Sequence, residues 1–206
     1  MCTKVAITNQ ITIPDLIYPN PCIVRNYPVV WQGNLVLKNK HAAVQMHHIS
    51  GNIALAHESL PHGEGFYRDT SLKILQRIRF KSNEYKEFHK KLQIDDDHCV
   101  MLALPCGTTY PELFKQCDKL KNGFLHYFFE KESGGIINAA PPGYMLPTHV
   151  IHIFPLCELT CANMAKTAPE LLRVHAETVN AVVIIIKVPC RKLDLPSAQL
   201  ILQDSF

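Results

Sequence analysis

The sequence lacks several of the features that would indicate a particular chemistry. It contains neither a G-x-x-x-x-G-K-[ST] nor a G-x-G-x-x-G motif, and so gives no support for nucleotide chemistry. The longest apolar run, AVVIIIKV at 181–188, is far shorter than the roughly 20 residues of a membrane helix. The opening residues, MCTKVAITNQ, have no apolar segment of signal-peptide length. We therefore expect a soluble, intracellular protein without a membrane partner.

Excess charge of one sign is also lacking. The formal net charge is +3 with histidine neutral, which is too small to predict wholesale binding to nucleic acid. Any useful positive field must therefore come from local clustering. The hydrophobic share of 47% and the charged share of 19% are ordinary for a globular chain with a real core. A length of 206 residues is most simply one domain with irregular ends.

The eight cysteines show no regular disulfide framework, and we expect reduced, mostly buried thiols. Cys157 and Cys161 form a lone C-x3-C pair, whereas a structural zinc ion needs four ligands. His149 and His152 lie three residues apart in a predicted strand, which points them to opposite faces. We therefore expect neither a metal nor another cofactor.

A cysteine nucleophile is the catalytic alternative that the sequence offers. Cys106, in LALPCG, lies just past a predicted strand, where nucleophiles are often found. A reactive thiolate would need a basic or helix-terminal neighbour and a positioned histidine. None of the eleven histidines is singled out by a local signature. A hydrolase is thus a minor alternative, and no residue is assigned as catalytic.

The chain divides into an arm, a folded domain and a tail. Residues 1–26 contain three prolines and little periodicity, which predicts an extended arm. Two apolar runs then join at Lys38-Asn39-Lys40, a pattern typical of a β-hairpin. Residues 61–71 are predicted to form a loop and residues 190–206 a tail. The domain between arm and tail covers 27–189.

Helical periodicity appears in the middle of the chain. Ser82 is a predicted N-cap, and Pro111 suits the first turn of a longer helix. That helix has an apolar stripe, is bent or weakened at Gly123 and stops at Gly134-Gly135; the stripe consists of Leu113, Phe114, Cys117, Leu120, Phe124, Leu125 and Phe128. Strands and helices are intermixed without a regular βαβ repeat, which predicts an α+β fold with a strongly curved or barrel-like sheet.

One short segment, LKILQRIRF at 72–80, has two unlike faces when its residues are assigned alternately to two sides, as in a strand. One face is almost purely apolar. The other, which we call the basic row, consists of Lys73, Leu75, Arg77, Arg79 and Lys81. A solvated surface explains most isolated basic runs.

Other residues could converge with this row on an anionic ligand. Tyr127 and Lys131 are four apart and so share one face of the long helix. Lys38 ends a predicted strand beside the hairpin turn. Arginine forks suit phosphate oxygens, lysine adds a point charge, and a phenol can donate a hydrogen bond. Such a set fits phosphoserine, but scattered surface cations are the competing interpretation.

Six blocks in order resemble the SPOC domain of Spen-family transcriptional regulators, in particular the animal Spen (SHARP-like) branch. These blocks are YPVVWQGNLVLKN, AAVQMHHISGN, LKILQRIRF, CVMLALPCG, FLHYFFEKESGGIIN and HIFPLCE. The resemblance runs from about Tyr27 to about Pro189. It implies a distorted β-barrel of about seven strands framed by helices, a nuclear location and a non-enzymatic function.

The resemblance also implies a ligand and a site. Spen-type SPOC domains bind phosphoserine-containing acidic peptides, such as the tails of the corepressors SMRT and NCoR, and some relatives bind phosphorylated RNA polymerase II repeats. The family's basic patch matches Lys38, Arg77, Arg79, Tyr127 and Lys131. Lys73 and Lys81 are additional candidates that come from the basic row and not from the resemblance. The alternative is single-stranded nucleic-acid binding on the barrel surface.

Overall fold

The computed structural model describes residues 21–61, 70–92, 98–140 and 146–188. Most of the predicted arm and loop, and all of the tail, lie outside these ranges. Within the described ranges there are eight strands: β1 Val29–Leu37, β2 Lys40–Gly51, β3 Ser71–Lys73, β4 Gln76–Arg79, β5 His98–Pro105, β6 Ser133–Ala139, β7 His149–Phe154 and β8 Ala181–Lys187.

All eight strands belong to one curled sheet in the order β3-β1-β2-β5-β8-β7-β6-β4. Neighbouring strands are antiparallel except for the parallel pair of β1 and β3. The two edge strands, β3 and β4, are separated by only Ile74 and Leu75. The sheet therefore curls so far that one short segment connects its two edge strands. The prediction of an α+β, barrel-like fold is confirmed.

The segment 72–80 corrects one expectation and confirms another. It is not a single strand, because its first part pairs with β1 and its second part pairs with β6. The Ile74 N–H still donates to the Val36 carbonyl at 2.8 Å, and the chain then crosses to the other edge. This division makes eight strands where about seven were expected. The two-faced pattern itself is confirmed, since Leu72, Ile74 and Ile78 are buried and the basic row is exposed.

The sheet is covered on both faces. The inner core contains Leu35, Met46 and Met101, and the outer core contains Leu102, Phe154 and other residues of the opposite face. The helices are α1 Pro21–Val24, α2 Ala54–Ser59, α3 Asn83–Lys91, α4 Tyr110–Leu120, a π-helical turn Lys121–Leu125, α5 His126–Glu130, α6 Glu158–Thr167 and α7 Pro169–His175.

Helix positions follow the local signals closely. The Ser82 hydroxyl accepts a hydrogen bond from the Tyr85 N–H at 3.2 Å, which caps α3 as predicted. Thr109 caps α4, and Pro111 lies in its first turn. The short helix α2 was not predicted, because six residues are too few to show a clear helical period.

The long helix is interrupted where the sequence indicated a weakness. Gln116, Leu120, Phe124 and Phe128 are all buried at a spacing of four. On an ideal α-helix this spacing drifts by about 40° per step, and the wider π turn at Lys121–Leu125 removes part of the drift. Phe114 departs from the predicted stripe, because its side chain is 60% exposed.

Two further expectations need correction. Gly134 and Gly135 do not stop a helix; they lie within β6, where a Cβ atom on Gly134 would come 2.3 Å from the Phe154 ring. They are required by close packing rather than by a helix end. The extended arm was predicted to run to residue 26, but residues 21–24 form the helix α1, and Val24 is buried in the outer core. Within the described residues, none of the helices has the length and apolar composition needed to cross a bilayer.

Candidate functional site

Three of the predicted site residues meet around one aromatic ring. Lys38 Nζ lies 5.7 Å from the centroid of the Tyr127 ring. The guanidinium carbon of Arg77 lies 5.3 Å from the same centroid. Both distances are within the range of a cation–π interaction. The structure thus places two cations, one from the β1–β2 turn and one from β4, beside a single tyrosine.

Lys38 reaches this position through the hairpin turn. Leu37 and Lys40 are paired in the β1–β2 ladder, so only Lys38 and Asn39 form the connection. Lys38 has a φ of 57°, in the left-handed region that costs most residues about 1–2 kcal/mol. The rest of the fold stabilises this conformation, which is a pattern common at binding sites.

Tyr127 reaches the same position through the π turn that precedes it. The turn contacts β2, and α5 then packs against β6. Phe128 fills the inner core while the neighbouring Tyr127 is half-buried at its margin. Because adjacent helical residues point about 100° apart, one helix turn supplies both a core anchor and a site residue.

Arg77 and Arg79 lie on β4, opposite Gly135 and Ser133 of β6. Residues two apart in a strand share a face, and both side chains are exposed. Lys131 follows α5, and its N–H donates to the Tyr127 carbonyl at 3.1 Å. We call Lys38, Arg77, Arg79, Tyr127 and Lys131 together the basic cleft. Among the described residues, the cations that lie at the Tyr127 ring are Lys38 and Arg77, while Arg79 and Lys131 are exposed nearby in the chain.

Lys73 and Lys81, the two additional candidates, differ in their positions and contacts. Lys73 is exposed on β3, on the far side of the bend from Arg77, and is paired in the ladder with Val36. Lys81 forms an ion pair with Glu132 at 2.8 Å. Both partners are highly exposed, so this pair contributes at most about 1 kcal/mol. Glu132 is a site neighbour that was not anticipated, and its φ of 43° marks a second strained position.

The basic cleft contains four cations, and Glu132 is its acidic neighbour. Among the residues that the structure describes, no carboxylate forms an ion pair with Lys38, Arg77, Arg79 or Lys131. Like charges gathered at one place repel each other, and an anion bound between them would relieve that repulsion. Because arginine and lysine are both present, the cleft can offer a planar fork and a mobile point charge to one oxyanion.

An apolar groove of about 610 Å³ adjoins the basic cleft. Its lining includes Phe80, Phe129, Leu156 and Cys157, with Lys81 and Glu132 at the side of the cleft. Phe129, which lies outside the predicted stripe, is 73% exposed, whereas the adjacent Phe128 is buried. Only the helix register, set by the π turn, separates the two phenylalanines.

The structure gives no support for a reactive cysteine or a metal centre. Burial raises the pKa of the Cys106 thiol, and the Gln32 amide nitrogen lies 3.7 Å from its sulfur. A raised pKa disfavours the thiolate that a hydrolase would need. In the described parts of the chain, no three histidine, cysteine or acidic side chains are grouped to hold a metal ion.

Comparison with known proteins identifies the family. A family model described as the SPOC domain matches residues 24–190. The Msx2-interacting protein of Homo sapiens is 41% identical over 150 residues, which cover 73% of this chain and 4% of that protein. Protein split ends of Drosophila melanogaster is 37% identical over 166 residues, covering 79% of this chain and 3% of that protein. This chain thus spans only a few per cent of these relatives.

A solved structure supports the fold. The SPOC domain of human PHD-finger protein 3 (PHF3) aligns with a TM-score of 0.51 and 15% identity, covering 80% of this chain and all of that one. The family match begins at residue 24, a position buried in the outer core.

Proposed function

The chain belongs to the SPOC domain family, a family of protein-interaction modules without catalytic function, and from this premise we propose that its basic cleft binds phosphoserine-containing acidic peptides. The peptide would belong to a partner in transcriptional repression, with the corepressor tails of SMRT and NCoR as the first candidates. Phosphorylated RNA polymerase II repeats are a second candidate partner. The proposed location is the nucleus, as the resemblance to Spen-family transcriptional regulators implies.

The observation that carries this proposal is the convergence of Lys38 and Arg77 on the Tyr127 ring. A phosphoserine carries about −1.5 to −2 charges and three acceptor oxygens near neutral pH. Arg77 or Arg79 would donate two parallel hydrogen bonds to the phosphate, and Lys38 would donate a third. Tyr127 orders both central cations before the ligand arrives, which reduces the entropy lost on binding.

The remaining members of the basic cleft suit the rest of the peptide. Lys131 lies one helical turn beyond Tyr127 and would pair with an acidic residue beside the phosphoserine. Lys73 and Lys81 would add weaker, longer-range attraction. The proposed boundaries of the binding domain are residues 27–189, extended at the amino end by the helix α1.

Fluorescence anisotropy with a labelled acidic corepressor-tail peptide tests this function. We expect the phosphoserine peptide to bind roughly 10- to 1000-fold more tightly than its unphosphorylated form, since each charge-assisted hydrogen bond contributes about 1.5–3 kcal/mol. Arg77→Ala/Arg79→Ala should remove that gain. Lys166→Ala/Arg173→Ala, which removes the same charge from exposed positions on α6 and α7, should preserve it. Equal binding of both peptides to the wild type would contradict the proposal.

Single-stranded nucleic-acid binding is the second candidate, and the exposed ring of Phe129 beside the basic cleft is the observation in its favour. Against it, Phe124 and Phe128 are buried and cannot stack on bases. An RNA oligonucleotide that bound with a steep salt dependence, in a protein indifferent to phosphopeptide, would support this function instead.

A further inference from the structure

The hairpin tip carries cations that the basic cleft does not use. A pocket of about 280 Å³ lies between the β1–β2 turn and the end of α4. Its lining residues, which we call the tip pocket, are Asn39, Lys40, His41, Lys119 and Gly123. This set contains two lysines, a histidine and an amide, and no acid. The volume is below the roughly 300–1,000 Å³ of sites for drug-sized ligands, and it suits a single anionic group.

The two lysines of the tip pocket lie against the helical segment to different extents. A Cβ atom added to Gly123 would lie 3.4 Å from Cδ of Lys40, so the Lys40 stem passes over the open side of the π turn. Lys119 is half-buried, which is unusual for a lysine. Cations whose stems are already ordered lose less rotamer freedom when they bind a ligand.

The acidic residue nearest in sequence does not form an ion pair with these lysines. Asp118 precedes Lys119, but its carboxylate accepts a hydrogen bond from the Asn122 amide at 2.6 Å. Over the described ranges, no carboxylate forms an ion pair with Lys40 or Lys119. The lysines of the tip pocket, like the cations of the basic cleft, are therefore not engaged in ion pairs with the described acids.

We propose that the tip pocket binds a second phosphorylated side chain of the same peptide that occupies the basic cleft. This inference rests on the proposed function. Lys38 belongs to the cleft and Lys40 to the tip pocket, with only Asn39 between them. Their Cα atoms are at most about 7 Å apart, a distance that two extended residues span. We therefore take two to four positions as the spacing of the two phosphorylated residues, which allows for the added reach of the two lysine side chains.

Anisotropy with three peptides tests the proposal. One peptide carries a single phosphoserine, one carries two phosphoserines three residues apart, and one carries two that are ten residues apart. We expect the close pair to bind roughly tenfold or more tightly than the single phosphoserine, because a second charge-assisted contact forms without a second association step. The distant pair should gain less.

Two double variants test which residues are responsible for the tighter binding of the peptide with the close pair of phosphoserines. Lys40→Ala/Lys119→Ala should abolish the advantage of the close pair and leave the affinity for the single phosphoserine unchanged. The matched control Lys115→Ala/Lys121→Ala removes the same charge from exposed positions on the same helical segment and should preserve the advantage. If the half-buried Lys119 proves necessary for folding, Lys40→Ala alone should still remove most of the gain, since Lys40 is exposed.

The outcomes separate the two proposals. Failure of the single phosphoserine peptide to bind would overturn the proposed function. Normal binding of that peptide without any gain from the close pair would overturn only the tip pocket, as would an equal loss in the control variant. Binding of single-stranded oligouridylate that required Lys40 and Lys119, again without a gain from the second phosphate, would assign the pocket to nucleic acid and likewise overturn the inference.

Discussion

The middle strands of the sheet and its two edge strands differ in how deeply they are buried and in the charge of their side chains. Every residue of β5 is buried, and β8 is buried except for Lys187, because cores cover both faces of these strands. At the edges, β3 has three residues and β4 has four, and their outward side chains are mostly cationic and exposed. The middle has the regular pattern of a doubly covered sheet.

Two positions with positive φ lie close to the edge strands. Within the described residues, the non-glycine positions with positive φ are Lys38, which belongs to the basic cleft, and Glu132, which borders it. The π turn that positions Tyr127 is also there. Such conformations persist only where the surrounding structure determines them. The comparison teaches that the covered middle supplies stability, which allows the edges to hold strained groups in place.

Phe128→Ala should produce the largest effect and would test the stabilising role of the inner core. Phe128 is fully buried and contacts the position of Gly135, so its truncation leaves a cavity in the core. We expect a loss of about 3–5 kcal/mol in the free energy of unfolding. Urea denaturation monitored by circular dichroism measures this. A loss below about 1 kcal/mol would show that this helix turn is not part of the stabilising region.

We expect the free energy of unfolding to fall at low pH, because a buried histidine, His175, resists protonation in the folded state. Burial, with a contribution from His47, lowers the pKa of His175 to about 4 from its ordinary 6.5. The unfolded state therefore binds the proton first, and stability falls as pH decreases from about 6.5 towards 4.

The expected loss from His175 is roughly 2–3 kcal/mol across that range. Burial also lowers the pKa of His47, which acts in the same direction. Unfolding by urea at pH 7 and pH 5 measures the slope, and His175→Gln should reduce it. An unchanged slope in the variant would place the acid sensitivity elsewhere.

Tyr127→Ala should have the smallest effect on stability and would sharpen the comparison with the adjacent Phe128. Removal of the ring takes away the surface that orders Lys38 and Arg77, and we expect affinity for the phosphopeptide to fall about tenfold. Tyr127→Phe retains the ring and should keep most of the affinity. If Tyr127→Ala lost as much stability as Phe128→Ala, the division between core and site within one helix turn would be wrong.

Local patterns in the sequence predicted much of the fold and part of the site. The alternation in 72–80, the cap at Ser82 and the buried strands were correct because each depends on neighbouring residues only. The single strand at 72–80 and the helix stop at Gly134-Gly135 were wrong. Both errors depend on which distant strand or ring a segment meets, and periodicity carries no information about that.

The basic cleft shows the same limit. Its five residues were named from their chemistry and from a family resemblance, and the role of each in binding stays a prediction. Their chemistry did not show which of them would meet, nor that Glu132 and Phe129 would lie beside them.

What the sequence determined by itself is the polarity of each face: which residues are apolar enough to be buried and which cations must stay in water. What only the tertiary structure decided is that Lys38, Arg77 and Tyr127 meet. The physical reason is that hydrophobic burial acts on each side chain according to its own surface, whereas convergence depends on how far the twisted sheet curls before its two edges are joined.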